Sequence, residues 1–417
     1  VRRLRNGAIL VIAAALTLTA CGRSDDSDSG AGSGGGGTVK ADPGITDTTV
    51  KLGAFTPLSG SGTVASAATK GSAAYFDYLN AEKGGVKFGD GKTRKIEYTT
   101  YDSQANPATA LQLTRKLVEE DKVFALYGSN GTTPNLAVRE YLNQKKVPQL
   151  FLVGGASAFG TEHDKYPWTM PWQLDYISQG KAMAQYLIKQ KPDAKIAVIF
   201  QNDDYGKDYY AGFKQGLGDK ADQIVKDASY EATDATVNRQ VSILKDSGAD
   251  TLADFSIDKF TTQIITQITQ LGWAPTHLLG SSGTAVVPAS GDAGKGIIST
   301  AYLKVTTDPA EANDPAVLSY KDIIGKYGEA GIKADDQGVV YGVAAAQSLV
   351  SVLQHTKAPT RQALMDAAKS IDGFAPPMLI KGITLKTGPD DYFPIQQSQI
   401  RVFDGKTWQF QGSVLGD

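Results

Sequence analysis

The first residues to weigh as chemistry are Gly60-Ser61-Gly62-Thr63-Val64-Ala65, which match the GxGxxA spacing of a dinucleotide-phosphate turn between a strand and a helix. Pro57 and Ser59 lengthen that turn, and the next strand-terminal acid, Asp102, stands far beyond the roughly 20 residues at which a ribose contact is expected. The segment reads instead as a strand-to-helix turn beside a cleft. Gly85 to Thr93, GVKFGDGKT, approaches a phosphate-binding loop, but five residues separate Gly85 from Gly91 and a strand follows. That loop needs four, and a helix whose N-terminus faces the phosphate. A surface β-turn accounts for the same residues. His163, His277 and His355 are the only histidines, far apart and without cysteine partners, so no metal site is expected. No GxSxG elbow anchors a nucleophile. The sequence implies no cofactor and no catalytic residue.

Binding chemistry is better represented. Tyr127-Gly128-Ser129-Asn130-Gly131-Thr132-Thr133-Pro134 joins the end of a strand to the start of a helix. Small residues there let a ligand approach the backbone, Pro134 suits a first helical turn, and the free amides favour an anion such as a carboxylate. Capping by Ser or Thr would account for this turn if it stood alone. A second small, polar turn, Gly154-Gly155-Ala156-Ser157, ends the next strand. Further on, Asn202-Asp203-Asp204-Tyr205-Gly206 presents an aromatic ring with a polar tip where another helix begins, a position that packing alone would also explain.

The elements that must position these turns follow a clear alternation. From Val50, short runs rich in β-branched and aromatic residues (VKLGAF, KIEYTTYD, VFALYG, PQLFLVG) alternate with amphipathic segments near 66–83, 107–121 and 134–146. After YPWTMPWQLD, a second series starts, with helices at 176–190, 206–218, 238–247 and 259–271 between KIAVIFQND, QIVKDASYE, DTLADFS and THLLG. Alternation of this kind is the mark of βαβ units and parallel sheets. Two series predict an α/β protein of two lobes, with the ligand in a cleft beyond the carboxyl ends of the strands. Beyond 296, GIISTAYLKV reads as a strand, followed by helices near 315–328, 336–355 and 360–370 and the strand-like pieces QSQIRVF and WQF.

Composition excludes other classes. With 417 residues, 41% of them hydrophobic, the chain can bury a large core. Its 42 basic and 44 acidic residues give a net charge of −2, too balanced to advertise nucleic acid or an anionic membrane as the partner. Arg2, Arg3 and Arg5 precede an apolar run from Ala8 to Leu18, the pattern of an export signal over residues 1–20. The single cysteine, Cys21, follows Leu18-Thr19-Ala20, which resembles the bacterial lipobox and implies lipidation at that thiol. Residues 22–40 are almost free of apolar side chains and read as a flexible tether spanning roughly 25 Å.

The succession of lipobox, tether, VKLGAFTPLSG, YFDYLNAEKGGV, YDSQANPATA, YGSNGTTP, VPQLFLVGGAS, FQNDDYG and LGSSG resembles the leucine/isoleucine/valine-type solute-binding proteins of ABC importers. The resemblance covers nearly the whole chain after Val50. It implies a type I periplasmic-binding fold, two Rossmann-like lobes joined by three crossovers, closing on a small solute. It also implies partners: a membrane permease with its ATPases, and the membrane itself through the lipid on Cys21. The lobes are expected over 46–172 plus 299–396 and over 173–298 plus 397–417, after a signal peptide at 1–20 and a tether at 21–45. The turn holding Ser129, Asn130, Gly131 and Thr132 corresponds to the carboxylate seat of amino-acid-binding relatives, Ala156 and Ser157 to a second contact, and Tyr205 to the aromatic contact of the second lobe. Where those relatives pair the ammonium with a glutamate, this sequence has Gly280-Ser281-Ser282-Gly283. A buried ammonium without a carboxylate is costly, so either Asp175, Asp203 or Asp258 takes that part, or the solute is an aromatic or other small acid, an amide or urea without an amine. A ligand-sensing receptor is the alternative role for the same fold.

Overall fold

The computed structural model describes residues 39–59 and 66–416. The arginine-led apolar run, Cys21, the tether up to residue 38 and the Gly60–Ala65 turn lie outside the described residues. Among those described, no helix is long and apolar enough to cross a membrane.

The first sheet and its helices follow the chain as β1 (Thr49–Thr56), α1 (Ala67–Glu82), β2 (Val86–Lys87), β3 (Thr93–Asp102), α2 (Pro107–Glu119), β4 (Ala125–Tyr127), α3 (Thr132–Gln144), β5 (Gln149–Leu152), α4 (Ala158–Thr161) and β6 (Thr169–Pro171). Its strand order is β2-β3-β1-β4-β5-β6, parallel except for the β2 edge. Local chemistry fixes the helix starts. The Asn106 side chain accepts the N–H groups of Ala108 and Thr109 ahead of Pro107, a cap and a first-turn proline together.

The second sheet continues with α5 (Tyr176–Gln190), β7 (Ile196–Gln201), α6 (Asp204–Leu217), β8 (Ile224–Tyr230), α7 (Asn238–Asp246), β9 (Thr251–Phe255), α8 (Asp258–Gln270), β10 (Thr276–Leu279) and β11 (Ile298–Ala301). A 3-10 segment, Ser281–Gly294, precedes β11. The chain then returns to the first core with α9 (Pro315–Tyr327), α10 (Gln337–His355), α11 (Arg361–Ala368) and a small hairpin, β12 (Asp372–Phe374) with β13 (Leu385–Lys386). It ends in β14 (Ser398–Phe403) and β15 (Trp408–Leu415), which complete the second sheet in the order β15-β14-β11-β10-β9-β7-β8.

The chain therefore passes between sheets three times, after Pro171, after Ala301 and before Ser398. The passage expected between 298 and 299 falls inside β11, whose neighbours β10 and β14 both belong to the second sheet. Helix α10 is apolar nearly all round because it is the centre of the first core, packed on α1. Their approach is so close that a Cβ on Gly342 would lie 1.9 Å from the Ala68 carbonyl oxygen. Any other residue there would push the two helices apart.

Candidate functional site

A cavity of about 350 Å³ opens where the carboxyl ends of strands from both sheets face each other, within the size range of small-solute pockets. Its first wall is the β4–α3 turn. Asn130, Gly131, Thr132 and Thr133 lie on it, with Gly131 at φ 104 and a would-be Cβ only 3.1 Å from Pro134. Ser129 stands just behind. Its hydroxyl accepts the Phe55 N–H at 3.3 Å and its carbonyl accepts both Val153 N–H and the Asn135 side chain, so it fastens three strand ends together at 1% exposure. The acid at the end of β3, Asp102, accepts from Leu58 N–H at 2.9 Å and from the Ser59 hydroxyl. That hydroxyl holds the carboxyl below the usual carboxylate range, in the service of the turn after β1.

The second wall comes from α6, α8, the 281–294 segment and the last strands. Tyr205, in the first turn of α6 and 3% exposed, donates to the Ser256 carbonyl at 3.1 Å and meets Tyr176 edge-on at 5.0 Å. Tyr176 in turn reaches back across the cavity, its hydroxyl 3.4 Å from Thr132 Oγ1. Tyr209 stacks on Tyr176 at 4.9 Å and bonds the Ser281 hydroxyl at 3.2 Å. Burial pushes the Tyr205 phenol well above its ordinary value, so it stays neutral.

The cavity wall contains Asn130, Gly131, Thr132, Tyr205, Asp258 and Ser282. Ala156 and Ser157 pack beside it: Ala156 is in the apolar cluster around Tyr176 and Tyr205, and Ser157 gives its N–H to Asp208 at 2.7 Å. Asp175 caps α5, accepting from Ser178 N–H at 2.8 Å.

Electrostatically the cavity is divided. Asp203, Asp258 and Asp336 line it. Asp203 is held by Gln201 Nε2 at 2.6 Å and Gly206 N–H at 3.2 Å, and Asp336 by Gly338 N–H at 2.8 Å. Asp258 opens α8 with φ 50, and burial raises its carboxyl to about 6. Arg401 on β14 is the buried cation of the wall, at 3% exposure. Burial lowers its guanidinium to about 10, still fully charged at neutral pH.

Arg401 escaped the reading of the sequence, as did Tyr176, Tyr302 and Tyr341 on the same cavity. The one available signal was an arginine inside the short apolar strand SQIRVF, two residues before a core Phe403. Among the described residues no group of three or more His, Cys, Asp or Glu side chains is arranged to hold a metal.

A sequence model of the family described as periplasmic binding protein matches residues 49–400. Leu/Ile/Val-binding protein homolog 7 of Brucella abortus (strain 2308) is 24% identical over 295 residues, 67% of this chain and 71% of that protein. In fold, the chain is similar to a branched chain amino acid ABC transporter protein from Thermus thermophilus with bound valine, at TM-score 0.77 and 16% identity, covering 89% of this chain and 98% of that one. It is likewise similar to a solute-binding protein of an ABC transporter from R. palustris in complex with benzoate, at TM-score 0.73 and 19% identity, covering 88% and 98%.

Proposed function

The chain belongs to the periplasmic binding protein family, and we propose that within it this protein captures a small carboxylate-bearing solute and delivers it to the permease and ATPase subunits of an ABC importer. The observation that carries the proposal is the cavity shared by the strand ends of both sheets, with small polar residues on one wall and tyrosines on the other. A branched-chain amino acid is the first candidate solute. The family resemblance favours it, and Asp203 and Asp258 supply carboxylates for an ammonium. An aromatic acid is the second, favoured by the benzoate complex of the R. palustris protein and by Ser282 where the resemblance implies a glutamate.

Closure follows from differential affinity: a solute that touches both walls binds the closed form more tightly and shifts the population toward it. The lipobox resemblance at Cys21 supports attachment to the outer face of the cell membrane, and Cys21→Ser is expected to release the protein from it. Retention of that variant on membranes would refute the anchor.

The function is tested by thermal melts of protein unfolded and refolded to strip carried solute, against amino acids, aromatic acids, amides and urea. A solute at 100 times its dissociation constant adds about 2.7 kcal/mol. A panel in which no solute raises the melting temperature would refute it.

A further inference from the structure

We propose that Arg401 is the seat of the solute's carboxylate, on the wall contributed by the second sheet; the inference rests on the solute-binding function above. The other arginines with buried or half-buried side chains have acceptors within the described chain. Arg94 forks onto the Asp90 carboxylate at 2.9 and 2.7 Å. Arg139 reaches Glu162 and the Ala158 carbonyl, both at 2.8 Å, and Arg361 binds the carbonyls of Phe124 and Val123 at 2.9 and 2.8 Å. Arg401 differs. Among the described residues its one hydrogen bond runs from Nη2 to Thr284 Oγ1 at 2.7 Å, and Nε and Nη1 have no acceptor.

A buried guanidinium with idle donors is costly unless something supplies the missing acceptor. Here the surroundings hold it ready. Its carbon lies 4.4 Å from the centre of the Trp408 ring, a cation–π contact that helps hold the group in place. Thr284, which takes the Nη2 bond, is itself fixed by donating to the Ser281 carbonyl at 2.6 Å. The Tyr341 hydroxyl, on the same cavity, also has no partner among the described residues and offers a further donor.

The chemistry of the occupant follows from these groups. Nη2 keeps a second hydrogen that stands parallel to an N–H of Nε or of Nη1, and a planar carboxylate accepts such a pair through its two oxygens. Asp203, Asp258 and Asp336 on the same cavity disfavour an anion of higher charge such as phosphate. A singly charged carboxylate satisfies both conditions.

The test compares full-length wild type, Arg401→Met and Arg401→Lys, each stripped of solute by refolding, in titrations with valine, benzoate and benzamide. For Arg401→Met, the dissociation constant of whichever acid binds wild type is expected to rise on the order of 30-fold or more. The empty variant should melt no lower than wild type, because an unpaired buried charge has gone. Arg401→Lys keeps the charge without the fork and should weaken the acid on the order of tenfold; it decides the matter if the methionine variant does not fold. Unchanged acid affinity in the variants overturns the proposal and leaves the solute-binding function standing. Binding of benzamide alone, equal in all three proteins, does the same. If no solute on the wider panel binds wild type, both readings fall together.

Discussion

The backbone N–H of Ser157 donates to the Asp208 carboxylate at 2.7 Å, tying the connection after β5 of the first sheet to α6 of the second. Burial holds that carboxyl above its ordinary range, with the Ser157 bonds opposing the shift. Around it Leu152, Ala156 and Phe159 share a core with Tyr205, Tyr209 and Phe213, so the two bodies are continuous at this edge. Asp208→Ala is expected to lower stability by about 1–2 kcal/mol in urea denaturation, whereas Asp208→Asn keeps an acceptor and should lose less. An alanine variant with the wild-type midpoint would show that the bond contributes nothing net.

Asp258 gives stability a dependence on pH. Its folded value near 6 lies above the roughly 3.9 of an unfolded aspartate, so between these values the folded chain binds the proton more tightly. The associated stabilisation is complete below about pH 4 and is lost as pH rises through 6. Asp258→Asn, tolerated at φ 50, should exceed wild type in stability at pH 7.5 by up to about 3 kcal/mol and lose that advantage by pH 4. Melts of both proteins at the two pH values check the sign.

Gly131 adopts φ 104 and ψ 135, a conformation open to little except glycine. Gly131→Ala is expected to cost about 1–3 kcal/mol of stability and to weaken solute binding as well, because the strained turn is part of the cavity wall. Normal affinity with normal stability would mean the turn relaxes without consequence.

Ser129 and Tyr205 separate support from contact. Ser129→Ala deprives the buried Phe55 N–H of its hydroxyl acceptor and should cost about 1–3 kcal/mol of stability while the affinity of the folded fraction changes little. Tyr205→Ala removes a ring from the wall itself and should weaken binding by ~1–3 kcal/mol. A serine variant that folds normally and binds poorly would move Ser129 onto the wall.

Where structure is set locally, the sequence was a good guide. Helix α5 runs Tyr176–Gln190 as its apolar period indicated, because Asp175 caps it and the stripe of Tyr176, Met183, Ala184 and Leu187 faces one core. The expected strand GIISTAYLKV shows the opposite case. Only Ile298–Ala301 pairs in the second sheet; from Leu303 the chain bridges to Leu379 and Lys304 N–H bonds Met378, in the first core. Burial continues without a break, so the apolar pattern gave no sign that the partner had changed. The candidate site divides in the same way. Strand-end turns such as Asn130–Thr132 are readable from their small residues, but Arg401 reaches the cavity only because β14 lies antiparallel beside β11, a pairing across about 100 residues.

That pairing has a consequence for how the protein is made. The strands of the first sheet are all present once residue 171 has emerged, while the opposite sheet lacks two of its strands, and the cavity its arginine, until residues 398–415 have followed. A chain that emerges N-terminus first thus finishes neither body early: the first waits for α10, the helix at the centre of its core, and the second for its last two strands.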